Sequence, residues 1–424
     1  MLDRTLPPPV QGLSSVFRKP SLQMLSNGIP LHVIENAGQE VVRIDFVFGA
    51  GQWHQSQKLQ ALFTCSMLRQ GCRGYSSSAF AERMDFYGAW LDLSVSMNRS
   101  FVSLYSLKKF FPQTLELVQR MLLEPAFSEE QLQMLASRKK AQLKVYLQKG
   151  NALAVRAMRR SIYGASHPCG MLSDLEDYDR LDPAILRDFY SRHYGSRNCS
   201  IYLSGSIDDG VVKLVDEAFG KGVWGSGYAP EERQYALLPS EERDTVIVKP
   251  DAMQGSIRMG RLMMDVKDQD YLPMRVLNTL LGGYFGSRLM KNIREDKGYT
   301  YHIASDLATN TSQVLFTIGS EALANKEEEV MEEVRSEMLR LQDEVVSEDE
   351  LRMVRNYMIG EICRNYEGAF ALADAYIFME HLGLPQTYIE KTIEAVQTTD
   401  AARLQQLAQR YFDPDALHTV VVRP

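Results

Sequence analysis

The sequence predicts an α+β protein made of two homologous lobes, each a mostly antiparallel sheet packed with helices. Three observations carry that prediction. Short strand-like runs are joined by hairpin signals, helices with one apolar face lie between them, and the whole order occurs twice. A chain of 424 residues is also longer than one ordinary core requires.

The first 20 residues, with Pro7-Pro8-Pro9, read as an extended N-terminal arm. Asn27-Gly28 between the apolar runs Leu22–Leu25 and Ile29–Ile34 predicts a hairpin turn with positive φ at both positions. Val41–Phe48 reads as a strand, Ala61–Leu68 as a helix, and Trp90–Met97 with Phe101–Leu107 as a second hairpin. Phe111–Leu123 places Leu115, Val118 and Leu122 on one helical face. The order then recurs: strands at Thr245–Val248 and Ser256–Met264, a helix at Met274–Leu281, strands at Tyr299–Ser305 and Val314–Gly319, and an amphipathic helix at Glu327–Gln342.

Local echoes support a duplication. Ser128-Glu129-Glu130-Gln131-Leu132 matches Ser347-Glu348-Asp349-Glu350-Leu351, an offset of 219, and Arg192-His193-Tyr194 matches Arg410-Tyr411-Phe412, an offset of 218. Both Ser128 and Ser347 read as N-caps followed by acidic first turns. Lys221–Arg243, rich in Gly, Pro and charge, reads as a linker. The expected organisation is an arm over 1–20, a first lobe over 21–220, the linker over 221–243 and a second lobe over 244–424.

Hydrophobic residues make up 45% and charged residues 24%, the mix of a soluble globular protein. A net charge of −7 without a long block of one sign argues against a nucleic-acid binder. No signal-peptide pattern and no membrane-length apolar run is seen, so no membrane association is expected and a cytoplasmic location is. Five cysteines without Cys-x-x-Cys support neither a disulfide framework nor a cysteine zinc site. Of seven histidines, no two lie within five positions, so no helical histidine pair exists to hold a metal.

The stretch Leu281-Gly282-Gly283-Tyr284-Phe285-Gly286-Ser287-Arg288-Leu289, continuing through Ile293-Arg294-Glu295 to Gly298-Tyr299-Thr300-Tyr301, is the most specific motif. The two glycines allow close backbone approach or positive φ. Ser287 is expected to cap the helix that carries Arg294, and Gly298 to end it. Tyr299, Tyr301 and Ile303 are expected to alternate with Thr300 and His302 along a strand.

This motif resembles the second-lobe signature of the pitrilysin/insulinase family of zinc peptidases. Supporting stretches are Met67-Leu68-Arg69-Gln70-Gly71 and Ser166-His167-Pro168-Cys169-Gly170, and the resemblance spans about residues 20–424. It implies a clam-shell arrangement of the lobes. The family's first lobe carries His-x-x-Glu-His. Here the same positions hold Leu62, Cys65 and Ser66, and the helix expected to bring a third ligand carries Arg138, Lys139, Lys140 and Lys144 instead. No metal or other cofactor is therefore expected in this chain. His167 reads as structural, and Cys65 reads as core packing.

The resemblance implies that Arg294 and Tyr301 contact the substrate backbone and steady the oxyanion in trans, with Gly282, Gly283, Phe285, Ser287 and Arg288 lining the substrate site. A guanidinium and a phenol are suitable donors for that task. It also implies a homologous partner subunit that bears His-x-x-Glu-His and the zinc, peptides as substrates, and a possible homodimer when the chain is alone. Peptide substrates of the family often add to a sheet edge, expected here near Ser312–Gly319. The competing expectations are a catalytically inactive scaffold with the same fold, and an autonomous hydrolase using Cys65 or another new centre.

Overall fold

The computed structural model describes residues 17–36, 38, 40–225, 233–309 and 311–424. Most of the Pro-rich arm and residues 226–232 of the linker lie outside the described residues.

The first lobe opens with the antiparallel pair β1 (Ser21–Met24) and β2 (Pro30–Glu35). Their turn departs from the expected two-residue form. Only Gly28 takes positive φ, at +89°, and the Leu25 N–H donates to the Ile29 carbonyl. The Asn27 amide donates to the carbonyls of Phe219 and Gly222, 2.8 Å each, so the loop is fixed by side-chain bonds to the far end of the lobe. Then come β3 (Val41–Phe48), α1 (Gln60–Met67), the small ribbon β4 (Gly71–Cys72) and β5 (Tyr75–Ser76), and α2 (Ser77–Phe86). The hairpin β6 (Trp90–Val95) and β7 (Ser100–Leu107) follows, then α3 (Phe111–Leu123), α4 (Glu129–Tyr146), α5 (Gly150–Tyr163), α6 (Pro183–His193), β8 (Cys199–Gly205) and α7 (Asp209–Phe219).

The second lobe comprises β9 (Asp244–Val248), β10 (Gly255–Asp265), α8 (Tyr271–Asn278), β11 (Thr300–Ala308), β12 (Gln313–Ala322), α9 (Glu327–Asp343), α10 (Glu348–Asn365), α11 (Gly368–Leu382), α12 (Tyr388–Thr398), α13 (Ala401–Tyr411) and β13 (His418–Arg423). The expected N-caps divide. Ser347 accepts from the Glu350 N–H at 3.3 Å, whereas the Ser128 hydroxyl makes no capping bond.

The sheets run β1-β2-β8-β3-β7-β6 and β9-β13-β10-β12-β11. Apart from β1, the two orders superimpose strand for strand, and each contains one parallel pair, β2/β8 and β9/β13. The helices keep the offsets: α4 and α10 start at 129 and 348, α6 and α13 at 183 and 401. The fold is therefore mixed α+β with antiparallel-rich sheets in two equivalent lobes, as expected.

Each sheet buries one face under helices of its own lobe. In the first, Ile44, Phe46, Leu104 and Ile201 share a core with Phe63, Val118 and Leu186. In the second, Met259, Phe316 and Val421 share one with Leu277, Val334 and Leu404. The opposite faces are covered by exchange. First-lobe α5 lays Ala154, Met158 and Ile162 on Leu315, Val420 and Val422 of the second sheet. Second-lobe α11 packs Ala373 and Ile377 in one cluster with Ile34, Val47 and Tyr202 of the first. Full burial of one such aliphatic side chain contributes about 1.5–3 kcal/mol.

Polar contacts fix the α11 docking. Arg43 on β3 is buried. It donates from Nε to Asp45 Oδ1 at 2.9 Å, from Nη2 to Asp374 Oδ1 at 2.5 Å and from Nη1 to the Phe370 carbonyl at 3.2 Å. Burial pushes the Asp45 carboxyl up to about 6 despite Arg43 beside it. Glu380 accepts from the Tyr202 hydroxyl, from Ser200 at 3.2 Å, and lies 3.2 Å from His32 Nε2. Burial alone would raise the Glu380 carboxyl, but the bonds from His32, Tyr202 and Ser200 outweigh it and hold the group at about 2.

Residues 17–20 and 233–243, assigned to arm and linker, pack on this body. Phe17 is buried against Tyr366 at 5.9 Å between ring centroids, the Trp53 indole donates to the Arg233 carbonyl at 2.7 Å, and the Ser240 N–H donates to the Ser161 carbonyl at 2.7 Å.

A depressed carboxyl stabilises the fold above the ordinary Glu range, and that contribution fades as pH falls through the folded value. Glu380→Gln is therefore expected to lower the melting temperature at pH 7 by about 1–3 °C, with the difference vanishing between about pH 4.5 and pH 2. Calorimetric scans of both proteins across that range check it.

Candidate functional site

The second-lobe motif is built around two π-helical segments. α8 runs directly into a π-helical turn at Thr279–Gly283, and a second spans Met290–Asp296. Such segments are uncommon and occur often at functional sites. A Cβ on Gly282 would lie 2.6 Å from both the backbone nitrogen and Oγ of Ser305, so the chain passes too close to β11 for any side chain. Neither Gly282 nor Gly283 takes positive φ; Gly298 does, at +66°, where it ends the second π-helical segment.

The motif's side chains divide into structural and exposed sets. Ser287 precedes the helix as expected, and its carbonyl accepts from the Lys291 N–H at 2.9 Å, but its buried hydroxyl has no partner among the described residues. The expected side-chain cap is thus not made. Arg288 forms a bidentate pair with Glu350 at the start of α10, 2.9 and 3.0 Å, which ties the motif to that helix. Phe285 and Tyr301, by contrast, are 64% and 75% exposed. The Arg294 guanidinium lies over the Phe285 ring at 4.6 Å and makes no ion pair among the described residues, with Glu295 and Asp296 or otherwise.

A β-bulge sets the direction of Tyr301. Thr300 pairs with Ala322 and Ile303 with Ser320, so Tyr301 and His302 together oppose one residue. The expected strict alternation is corrected: Thr300 and Ile303 are buried, and both Tyr301 and His302 face outward. The Tyr299 N–H donates to the Ile293 carbonyl at 3.0 Å, joining the end of the Arg294 segment to the start of the Tyr301 strand. The expected sheet edge near Ser312–Gly319 is also corrected. That segment lies mostly in β12, an inner strand between β11 and β10, and the edges are β11 and β9 in the second sheet and β1 and β6 in the first.

The degenerate motif of the first lobe lies on α1. Leu62 and Ser66 are partly buried and Cys65 is fully buried, with Sγ 3.7 and 3.8 Å from the carbonyls of Ser94 and Phe101. Burial pushes the Cys65 thiol up to about 12, so it stays protonated and unreactive near neutrality. An apolar side chain, a hydroxyl and a neutral thiol do not fit a zinc ion. On α4, Lys140 is paired with Asp179 at 2.6 Å. Among the described residues no group of three His, Cys, Asp or Glu side chains could hold a metal.

The fold does bring together two histidines that the sequence keeps far apart. His54 and His193 lie 5.5 Å apart, and burial with neighbouring cations lowers both to about 4. His167 stacks on Tyr163, and its Nδ1 accepts from the Cys169 N–H at 3.1 Å, a packing role. A cavity of about 640 Å³ lies between the polar face of the first sheet and α11, lined by Asp92, Ser94, Tyr105, Arg159, Asp374 and His381 among others.

This geometry defines the class: a two-lobe α+β fold that carries the Arg294 and Tyr301 motif in its second lobe and, at Leu62, Cys65 and Ser66 of its first, side chains that do not fit a zinc ion. Comparison with known proteins agrees. Residues 180–358 match the family described as the Peptidase M16 inactive domain. An uncharacterized zinc protease, YmxG of Bacillus subtilis, is 21% identical over 394 residues, covering 92% of this chain and 95% of that one. The non-peptidase homolog YmxG of Helicobacter pylori is 20% identical over 395 residues, 90% of this chain and 88% of its own. The crystal structure of a peptidase M16 inactive domain from Pseudomonas fluorescens superposes with a TM-score of 0.85 at 21% identity, covering 96% of this chain and 98% of that chain. Other relatives called uncharacterized zinc proteases are matched over about half of their length. The resemblance to pitrilysin/insulinase peptidases is thus borne out: residues 180–358 match the M16 inactive domain, and the chain over nearly its whole length is similar in fold to M16 inactive-domain proteins. Among the described residues no helix is long and apolar enough to cross a membrane.

Gly282→Ala is expected to destabilise the protein by roughly 1–3 kcal/mol in urea titrations, because the added methyl collides with the β11 backbone. Cys65 should escape iodoacetamide at pH 8 in the native protein and react only after denaturation, as read by peptide mass spectrometry.

Proposed function

We propose that this chain is the non-catalytic subunit of a two-subunit zinc peptidase and supplies Arg294 and Tyr301 to substrate bound at a partner's metal centre. One observation carries the reading. The first-lobe positions hold Leu62, Cys65 and Ser66, a set that does not fit zinc, while the second-lobe motif keeps Tyr301 exposed and Arg294 without a carboxylate partner among the described residues. A homologous subunit with His-x-x-Glu-His would supply the metal and the general base. Peptides short or unfolded enough to enter between the halves would be the substrates. Arg294 would donate from its fork of N–H groups, and Tyr301 from its hydroxyl, to the carbonyl oxygen as negative charge develops on it. An exposed strand edge, β6 or β11, offers main-chain groups to an extended peptide.

A second reading, a structural protein that keeps the fold without any part in hydrolysis, is favoured by the description of the Helicobacter pylori relative as a non-peptidase homolog. The two readings separate in one experiment. The chain is purified alone and with a candidate zinc-bearing homologue, and cleavage of a quenched peptide library is followed. The subunit reading expects no zinc-dependent cleavage by the chain alone and strong cleavage by the pair. Arg294→Ala or Tyr301→Phe in the pair should then lower kcat on the order of 10²-fold, with assembly intact by gel filtration. Full turnover in both variants would leave only the structural reading, and zinc-dependent cleavage by the isolated chain would remove both.

A further inference from the structure

A second cavity, of about 350 Å³, is lined by second-lobe residues, with Gly283 but neither Arg294 nor Tyr301 among them. It is lined by Tyr271, Arg275, Asn278 and Thr279 of α8 and its π-helical extension, by Ser305–Leu307 of β11, and by Tyr366, Phe378 and Tyr388 from the helices above. Tyr271, Arg275 and Asn278 recur at spacings of four and three, so one face of α8 forms the floor.

The electrostatics of this cavity are unusual. Arg275 is partly buried; burial is the largest single influence on its guanidinium, but the tyrosines around it outweigh burial and hold it above the ordinary arginine value. Its polar neighbours are tyrosine hydroxyls: Tyr388 within hydrogen-bond reach, with Tyr271 and Tyr366 close by. Arg275 makes no ion pair among the described residues, although the chain's other strongly desolvated arginines, Arg43 and Arg258, each have a carboxylate. The carboxylate nearest in the lining, Asp306, is exposed and unpaired with it. A second group is also unmatched: the Asn278 Oδ1 is buried without a hydrogen-bond partner. A guanidinium cannot lose its proton in proteins, so its desolvation is offset only by an anion or by strong acceptors.

We propose that this cavity binds a small organic carboxylate, gripped by Arg275 with Tyr388 beside it. The guanidinium fork matches a carboxylate in bidentate geometry, and the tyrosine hydroxyl adds a donor. The aromatic faces of Tyr271, Tyr366 and Phe378, with Leu307 and Met358, suit the carbon frame of an organic acid better than a fully hydrated inorganic anion. The carboxylate could be that of a free acid or of a peptide C-terminus, and the chemistry of recognition is the same. The site does not depend on a catalytic partner, so it stands or falls separately from the peptidase reading.

The test is calorimetric titration of the full chain with benzoate, inorganic phosphate, and a short peptide with either a free or an amidated C-terminus. Saturable binding of benzoate or of the free-carboxylate peptide, with the amidated peptide at least about 10-fold weaker, supports the site and identifies which source it accepts. Arg275→Gln should weaken that binding about 10-fold or more. Should that variant misfold by circular dichroism, Tyr388→Phe, which removes only a hydroxyl, should still weaken it several-fold. Asp306→Asn should leave it unchanged or tighten it. Binding of phosphate alone, binding indifferent to Arg275 and Tyr388, or no binding of any probe would overturn the proposal.

Discussion

Everything in this molecule rests on the exchange of α5 and α11 between the lobes. A sheet with apolar side chains on both faces needs helices on both. Leu315, Val420 and Val422 on the outer face of the second sheet are covered by a helix that belongs, by sequence, to the first lobe. Ile34, Val47 and Tyr202 of the first sheet are covered by a helix of the second. Neither lobe can close its core alone, so the two must fold against each other. The relative placement of α1 in one lobe and the Arg294 motif in the other is fixed by the same contacts that stabilise the fold.

The two exchanged helices dock by different means. α5 meets a largely apolar face, with polar contacts from Ser161 to His418 at 2.7 Å and from Arg258, itself paired with Glu321, to Asn151. α11 meets Arg43, Asp45, Ser200 and His32 with its own Asp374 and Glu380. Burying Asp45 costs enough to raise its carboxyl to about 6, so this docking is bought with desolvation. The return is orientation: an apolar helix slides by a turn at small cost, whereas a guanidinium bonded to two carboxylates and a carbonyl permits one register.

Much of this was legible in the sequence, and what was not has identifiable causes. The duplication was visible because the segments beginning at Ser128 and Ser347 keep the acidic first turn of a helix, a local signal. The replacement of zinc donors was visible because it depends only on which residues occupy a short spacing. The helix exchange was not, since hydrophobic periodicity says that α5 has an apolar face but not which sheet receives it. The outward turn of Tyr301 was missed because period-two reading assumes no inserted residue, and the bulge inserts one. The resemblance separated Arg294 from Arg288 by role, but the anchoring of Arg288 became visible only when Glu350, 62 positions away, was seen to pair with it. The approach of His54 to His193 is likewise long-range.

Those two arginines differ in how firmly each is held. Arg288 is held by two charge-assisted bonds to Glu350 in a partly buried setting, and moving it would break both. Arg294 rests on an exposed ring, a contact of about 0.5–1 kcal/mol at such a site. A charge-assisted hydrogen bond to a carbonyl or oxyanion is stronger, at about 1.5–3 kcal/mol. The guanidinium can therefore leave Phe285 for an acceptor brought close, while Phe285 holds its direction until then. That balance, a weak resting contact beside a strong potential one, is what the proposed donor role would require of Arg294, and a side chain locked in an ion pair would lack it.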